Sequence, residues 1–150
     1  MTHVVESIEI ARPADAVFEL IANIHRMPEW IGTCMAVRIE DTGPIGLGTR
    51  FTATSKFIFS RFDIPFVIIE YVPPRAFAMR AREGGPFMVE NRIELTPTAV
   101  GTRVTGTFVG DTTSFYKLAE PVLMRAFRAR VRQDLRQLKH ALEAEVSVTA

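Results

Sequence analysis

Cysteine is almost absent from this chain, with Cys34 the only one. No intramolecular disulfide can form, and a thiolate-based metal centre is excluded. Histidine is scarce too: His3, His25 and His140 are spread along the chain, and no two stand at ligand spacing. No metal and no cofactor are expected. The opening residues, MTHVVESIEI, lack the basic start and long apolar core of a secretion signal. The greasiest run, IPFVIIEYV, is interrupted by Pro65 and Glu70. It falls far short of the roughly 20 apolar residues that cross a bilayer. A cytoplasmic protein without a transmembrane segment is the expectation. Also missing are H-E-x-x-H, G-x-x-x-x-G-K-[ST] and G-x-G-x-x-G. The stretch GPIGLGTR is rich in glycine, but it joins two strand-like runs and opens no helix, so it reads as a turn.

What the chain has in quantity is phenylalanine, 11 copies against one Trp and two Tyr. That implies either a large apolar interior or a cavity walled by rings, and composition leaves both open. A length of 150 residues reads as one domain, 1–150. Net charge is only +1, yet residues 114–142 hold seven basic side chains against two acids, a local +5 that leaves −4 elsewhere. Arg125, Arg128, Arg132, Arg136 and Lys139 fall three or four apart and form one stripe. A solvated helix face is the plain reading of that stripe. An acidic partner or a membrane surface is the alternative, and no nucleic-acid motif accompanies it.

The hydrophobic pattern gives the order of elements. Residues 3–10 alternate as a strand. From Pro13, Val17, Leu20 and Ile21 form a helical stripe with Asp15 in the first turn. Residues 25–30, HRMPEW, read as a second short turn limited by Pro28. Six strands follow at 33–40, 49–57, 61–72, 76–83, 87–95 and 102–109. The connections DTGPIGLG, PPR, GGP and TPTAVG separate them, as in an antiparallel meander. From about Ser114 to Ala144 the period becomes helical. Pro121 either kinks this run or opens a new helix within it, and residues 145–150 are expected to fray. The architecture implied is α+β: a curved antiparallel sheet of about seven strands, two short helices after the first strand, and one long C-terminal helix on the apolar face. One helix cannot fill the concave side, so large side chains or a cavity take up the rest.

The opening VVESIEIARPADAVFELIANIHRMPEWI, the later IEYVPPRAFAMR and the hairpin GTRVTGTF resemble the START-like, or helix-grip, superfamily. Within it the chain is most similar to the bacterial polyketide cyclase/dehydrase and lipid-transport (SRPBCC) group, over roughly residues 3–144. The resemblance implies a hydrophobic cavity between sheet and long helix for a polyketide-, lipid- or isoprenoid-like molecule. Members include carriers, cyclases and regulatory partners. The expected function is binding of such a ligand, with cyclisation or dehydration of a bound carbonyl compound as the enzymatic form. A non-catalytic carrier or sensor, or a protein–protein regulatory module, is the alternative.

Alternation assigns the lining. Phe51, Phe57, Phe77, Met79, Phe87, Val89, Ile93 and Phe108 should face the long helix, with Met124 and Phe127 facing back. Trp30 is read as a plug at one end, with His25 and Arg26 solvated on the rim. Asn91, Tyr71 and Ser55 are the candidate polar, and candidate catalytic, groups: each supplies a hydrogen bond to a ligand carbonyl or helps move a proton. Asp63, Glu70 and Glu90 are candidate bases on strand parity alone. The strand 61–72 is apolar on both faces, with Val67, Ile69 and Tyr71 opposite Phe62, Ile64, Phe66 and Ile68. Its outer face suggests a homodimer surface, and Pro65 suggests an edge strand.

Overall fold

The computed structural model describes residues 2–57, 60–85, 88–111 and 120–149. Strand β1 (Thr2–Ile10) leads into helix α1 (Ala14–Ala22) and a 3₁₀ turn (Ile24–Glu29). Then come β2 (Cys34–Ile39), β3 (Arg50–Phe57), β4 (Ser60–Val72), β5 (Ala76–Ala81), β6 (Met88–Pro97) and β7 (Thr102–Asp111). The last element is the long helix α2 (Glu120–Thr149). The seven strands form one antiparallel sheet in the order β1-β7-β6-β5-β4-β3-β2. Hairpins explain every neighbour except β1, which returns to pair with β7 and places Ile8 opposite Val104.

Local sequence accounts for the short elements. Pro13 caps α1, and its carbonyl accepts from the N–H groups of Ala16 and Val17. Val17, Phe18, Leu20 and Ile21 bury one face of α1. Pro28 lies inside the 3₁₀ turn, which ends at Trp30. Helix α2 holds Pro121 in its first turn, where a missing N–H removes no hydrogen bond. The helix then runs to Thr149, past the point where fraying was expected, because no glycine or proline interrupts VSVT.

Strand β4 departs from its alternation in two ways. Pro65 was expected at an edge, yet β4 is paired on both sides and the edges are β1 and β2. It fits because the β5 ladder stops there: the Pro65 carbonyl accepts the last rung from the Arg82 N–H, and no further rung needs a donor. Second, the register with β5 shifts between Ile68 and Glu70, a β-bulge. The bulge turns Tyr71 to the inner face, opposite Phe77, instead of leaving it outside with Val67 and Ile69. The outer apolar set of β4 is therefore the half-buried Val67 and Ile69 and, past the bulge, the exposed Val72, on which the expected homodimer surface would have to rest.

Helix α2 packs chiefly on β1 and β7. Leu135, Leu138 and Leu142 are its buried stripe. The basic stripe beside it turns partly inward. Arg132 Nε lies 3.0 Å and Arg128 Nε 3.5 Å from Glu6 Oε1 on β1. Lys139 Nζ donates to the Glu9 carbonyl and pairs with Glu143. Arg26, expected to be solvated, clasps Glu29 and Glu145 and so ties the 3₁₀ turn to the end of α2. Both carboxylates stabilise its guanidinium cation. Because α2 covers one side of the sheet, the inner faces of β3 to β6 are left looking into open space.

Candidate functional site

That space is a cavity of about 180 Å³. Its floor is the inner sheet face: Ala53 and Ser55 of β3, Phe62, Ile64 and Phe66 of β4, Phe77 and Met79 of β5, Val89, Asn91 and Ile93 of β6, and Gly106 and Phe108 of β7. Phe127, Arg130, Val131, Asp134 and Leu135 of α2 close it from above, and Met27, Trp30, Ile31, Thr33 and Cys34 close one end. The helix passes over Gly106, where a Cβ would stand 3.8 Å from Leu135 Cδ2 and 3.9 Å from Val131 Cγ1, ordinary van der Waals contact. The rings of Phe108 and Phe127 stack at 5.0 Å across the join of β7 and α2.

Of the residues expected from the sequence, the structure brings Trp30, Ser55, Phe77, Met79, Val89, Asn91, Ile93, Phe108 and Phe127 to this wall. Met79, Asn91 and Phe108 stand on one rung across β5, β6 and β7. Phe51 points inward but is sealed in the core, stacked on Phe66 at 5.4 Å. Tyr71, turned in by the bulge, does not border the cavity, because its ring is taken up by Phe18 and Phe77 at 5.4 and 6.4 Å. Met124 lies half-exposed on α2, one turn above Phe127, and is not on the wall. The Phe57 side chain and all of Phe87 fall outside the described residues. The strand carboxylates are placed elsewhere: Glu70 pairs with Arg92, Asp63 accepts from Thr54, and Glu90 is not on the wall.

Among the described residues neither the amide of Asn91 nor the hydroxyl of Ser55 makes a hydrogen bond, and both border the cavity. Trp30 is 5% exposed, and its indole N–H is shielded from solvent and has no acceptor among the described residues. Leaving such a donor unpaired costs about 1–3 kcal/mol. A second hollow of about 210 Å³, bordered by Pro28, Glu29, Gly32, Gln133 and Gln137, shares Trp30 and Arg130 with the first. The indole is thus a partition between the cavity and an outer cleft.

Alternation did not find the charged pair of this end. Asp134 of α2 accepts from the Gly32 N–H at 3.0 Å and from Arg130 Nε at 3.0 Å. Burial pushes its carboxyl up to about 6, against the opposing pull of Gly32 and Arg130. Cys34 beside it is a neutral thiol, which burial raises to about 11. One signal in the sequence marks Asp134: it is the only acid between Pro121 and Leu142, one helical turn after Arg130.

A family model described as polyketide cyclase/dehydrase and lipid transport matches residues 1–143. No curated protein matches the sequence. Among solved structures, a START superfamily protein from Mycobacterium smegmatis superposes with a TM-score of 0.80 at 11% identity, covering 96% of this chain and 99% of that one. The Thermus thermophilus protein TTHA0849 gives 0.78 at 15%, covering 95% and 98%. The Nitrosomonas europaea protein NE0264 gives 0.72 at 20%, covering 97% of each. At these identities the likeness is one of fold, the helix-grip α+β architecture.

Proposed function

From the polyketide cyclase/dehydrase and lipid-transport family, to which this chain belongs, we infer that the cavity holds a hydrophobic small molecule of polyketide, lipid or isoprenoid kind. One observation carries this reading. Phenylalanine rings from β4, β5, β7 and α2 wall an internal space, and the amide of Asn91, without a hydrogen bond among the described residues, stands among them. Apolar walls with a few free polar groups are the usual make-up of a ligand site. Each Å² of apolar ligand surface removed from water contributes roughly 25 cal/mol. Native mass spectrometry of freshly purified protein should show a retained apolar molecule. Asn91→Ala should weaken binding of a carbonyl-bearing ligand about fivefold, the value of one neutral hydrogen bond. Protein that releases nothing on denaturation and takes up no hydrophobic dye contradicts the reading.

The amide of Asn91 and the hydroxyl of Ser55 on this wall also favour a second reading, cyclisation or dehydration of the bound molecule. Here the walls fold the substrate, and the amide and hydroxyl polarise its carbonyl. Turnover of a polyketide-like carbonyl compound, lost in Asn91→Ala while binding persists, separates an enzyme from a carrier or sensor.

A further inference from the structure

The two oxygens of Asp134 are used unequally. The Gly32 N–H, Arg130 Nε and Arg130 Nη2 all converge on Oδ1, at 3.0, 3.0 and 2.9 Å. Oδ2 has no partner among the described residues, although an ionised carboxylate has about four lone-pair sites to offer. Oδ2 is not sealed off, since it is absent from the buried unpaired atoms, so on this side chain of the cavity wall it is open to a donor. The same end of the wall holds a donor without an acceptor among the described residues, the indole N–H of Trp30. Gly32 links the two, two residues from Trp30 in sequence and bonded to Asp134.

We propose that the molecule bound in this cavity carries a hydroxyl group, read by Asp134 and Trp30. The ligand O–H donates to Asp134 Oδ2, and a ligand oxygen accepts from the Trp30 N–H. This rests on the apolar-ligand reading above and names the polar group that ligand bears. A hydroxyl is the smallest group that both donates and accepts. It is also neutral, which the surroundings require. Arg130 and Asp134 already cancel each other's charge. Glu29 of the 3₁₀ turn is held by Arg26, Arg92 of β6 is held by Glu70, and Cys34 of β2 is an uncharged thiol. A ligand carboxylate would face the like charge of Asp134, and a ligand ammonium that of Arg130. Desolvating either ion would find no surplus charge to offset it.

The test compares two probes that share one ring system, naphthalene and 1-naphthol, by calorimetric titration of the full chain. Both affinities are corrected for the probes' own partition between water and octanol. At pH 8 the wild type should bind 1-naphthol at least about tenfold more tightly than naphthalene, since a hydrogen bond to a charged acceptor is worth that much. As Asp134 takes up a proton, with its midpoint near about 6, the preference should shrink to about threefold or less by pH 5, while naphthalene binding holds. Asp134→Asn should show the reduced preference already at pH 8. Equal binding of both probes by the wild type at pH 8, or a preference unmoved by both pH and substitution, overturns the proposal and leaves the apolar-ligand reading standing. Binding of neither probe by protein that is folded by circular dichroism overturns both. If Asp134→Asn does not fold, the wild-type pH series decides alone.

Discussion

Asp134 titrates near about 6 in the fold against an ordinary 3.8, with burial as the main cause. Between those two values the folded chain keeps a proton that the unfolded chain has released. Stability contributed by this group is therefore whole below pH about 4 and is lost as pH rises through about 6. At ~1.4 kcal/mol per pH unit the loss is about 3 kcal/mol. Urea unfolding from pH 4 to 7 should show that decline in the wild type relative to Asp134→Asn, and parallel curves would refute it. Gly32 matters for the same carboxyl. A Cβ at that position would stand 2.6 Å from Arg130 Nη2 and 2.8 Å from Cζ. Gly32→Ala should push the guanidinium off Asp134, and the carboxyl should then titrate above its wild-type value in a carbon-detected NMR titration. An unchanged midpoint would mean that Arg130 does not hold it.

Among the elements, α2 has two jobs divided along its length. Past Leu135, which serves both, it is core, with Leu138 and Leu142 fully buried. From Phe127 to Asp134 it is cavity wall. Leu138→Ala should cost about 2–5 kcal/mol in chemical denaturation, whereas Phe127→Ala should cost less, because its half-buried ring faces a cavity already there. A larger loss at Phe127 than at Leu138 would contradict this division. The β6–β7 hairpin has its own weak point. Gly101 lies at φ 157°, and a Cβ there would come within 2.1 Å of the Ile10 carbonyl oxygen. Gly101→Ala should therefore destabilise the junction of β1 and β7 by at least the about 1–3 kcal/mol typical of overpacking.

At the scale of the whole molecule, the cavity exists because seven strands share one long helix. A ligand held between them bridges sheet and helix in the folded state only, so it should stabilise by mass action. Saturation at a hundred times Kd adds about 2.7 kcal/mol. For a domain of this length that is a rise in Tm of roughly 5–10 °C, readable by differential scanning calorimetry with the hydroxylated probe. Among the described residues no helix is long and apolar enough to cross a membrane.

Much of this was legible in the chain. Period-two alternation in TRFTATSKF and FMVENRIEL put Ser55 and Asn91 on the inner face, because adjacent strand side chains must point to opposite sides. The glycine-rich and proline-rich turns pointed to a meander, and the change of period pointed to the helix described from Glu120, the expected start at 114–119 lying outside the described residues. Tertiary structure alone decided the rest. A bulge reversed Tyr71, since alternation holds only while register does. Core packing closed over Phe51, since facing inward does not distinguish a cavity wall from a sealed interior. The ladder of β5 ended beside Pro65, so an inner strand tolerated it. Above all, the meeting of Asp134, Arg130, Gly32 and Trp30 joins residues about a hundred positions apart. No local period records such a distance, and only the closing of the helix over the sheet brings an acid, a base and an indole to one wall.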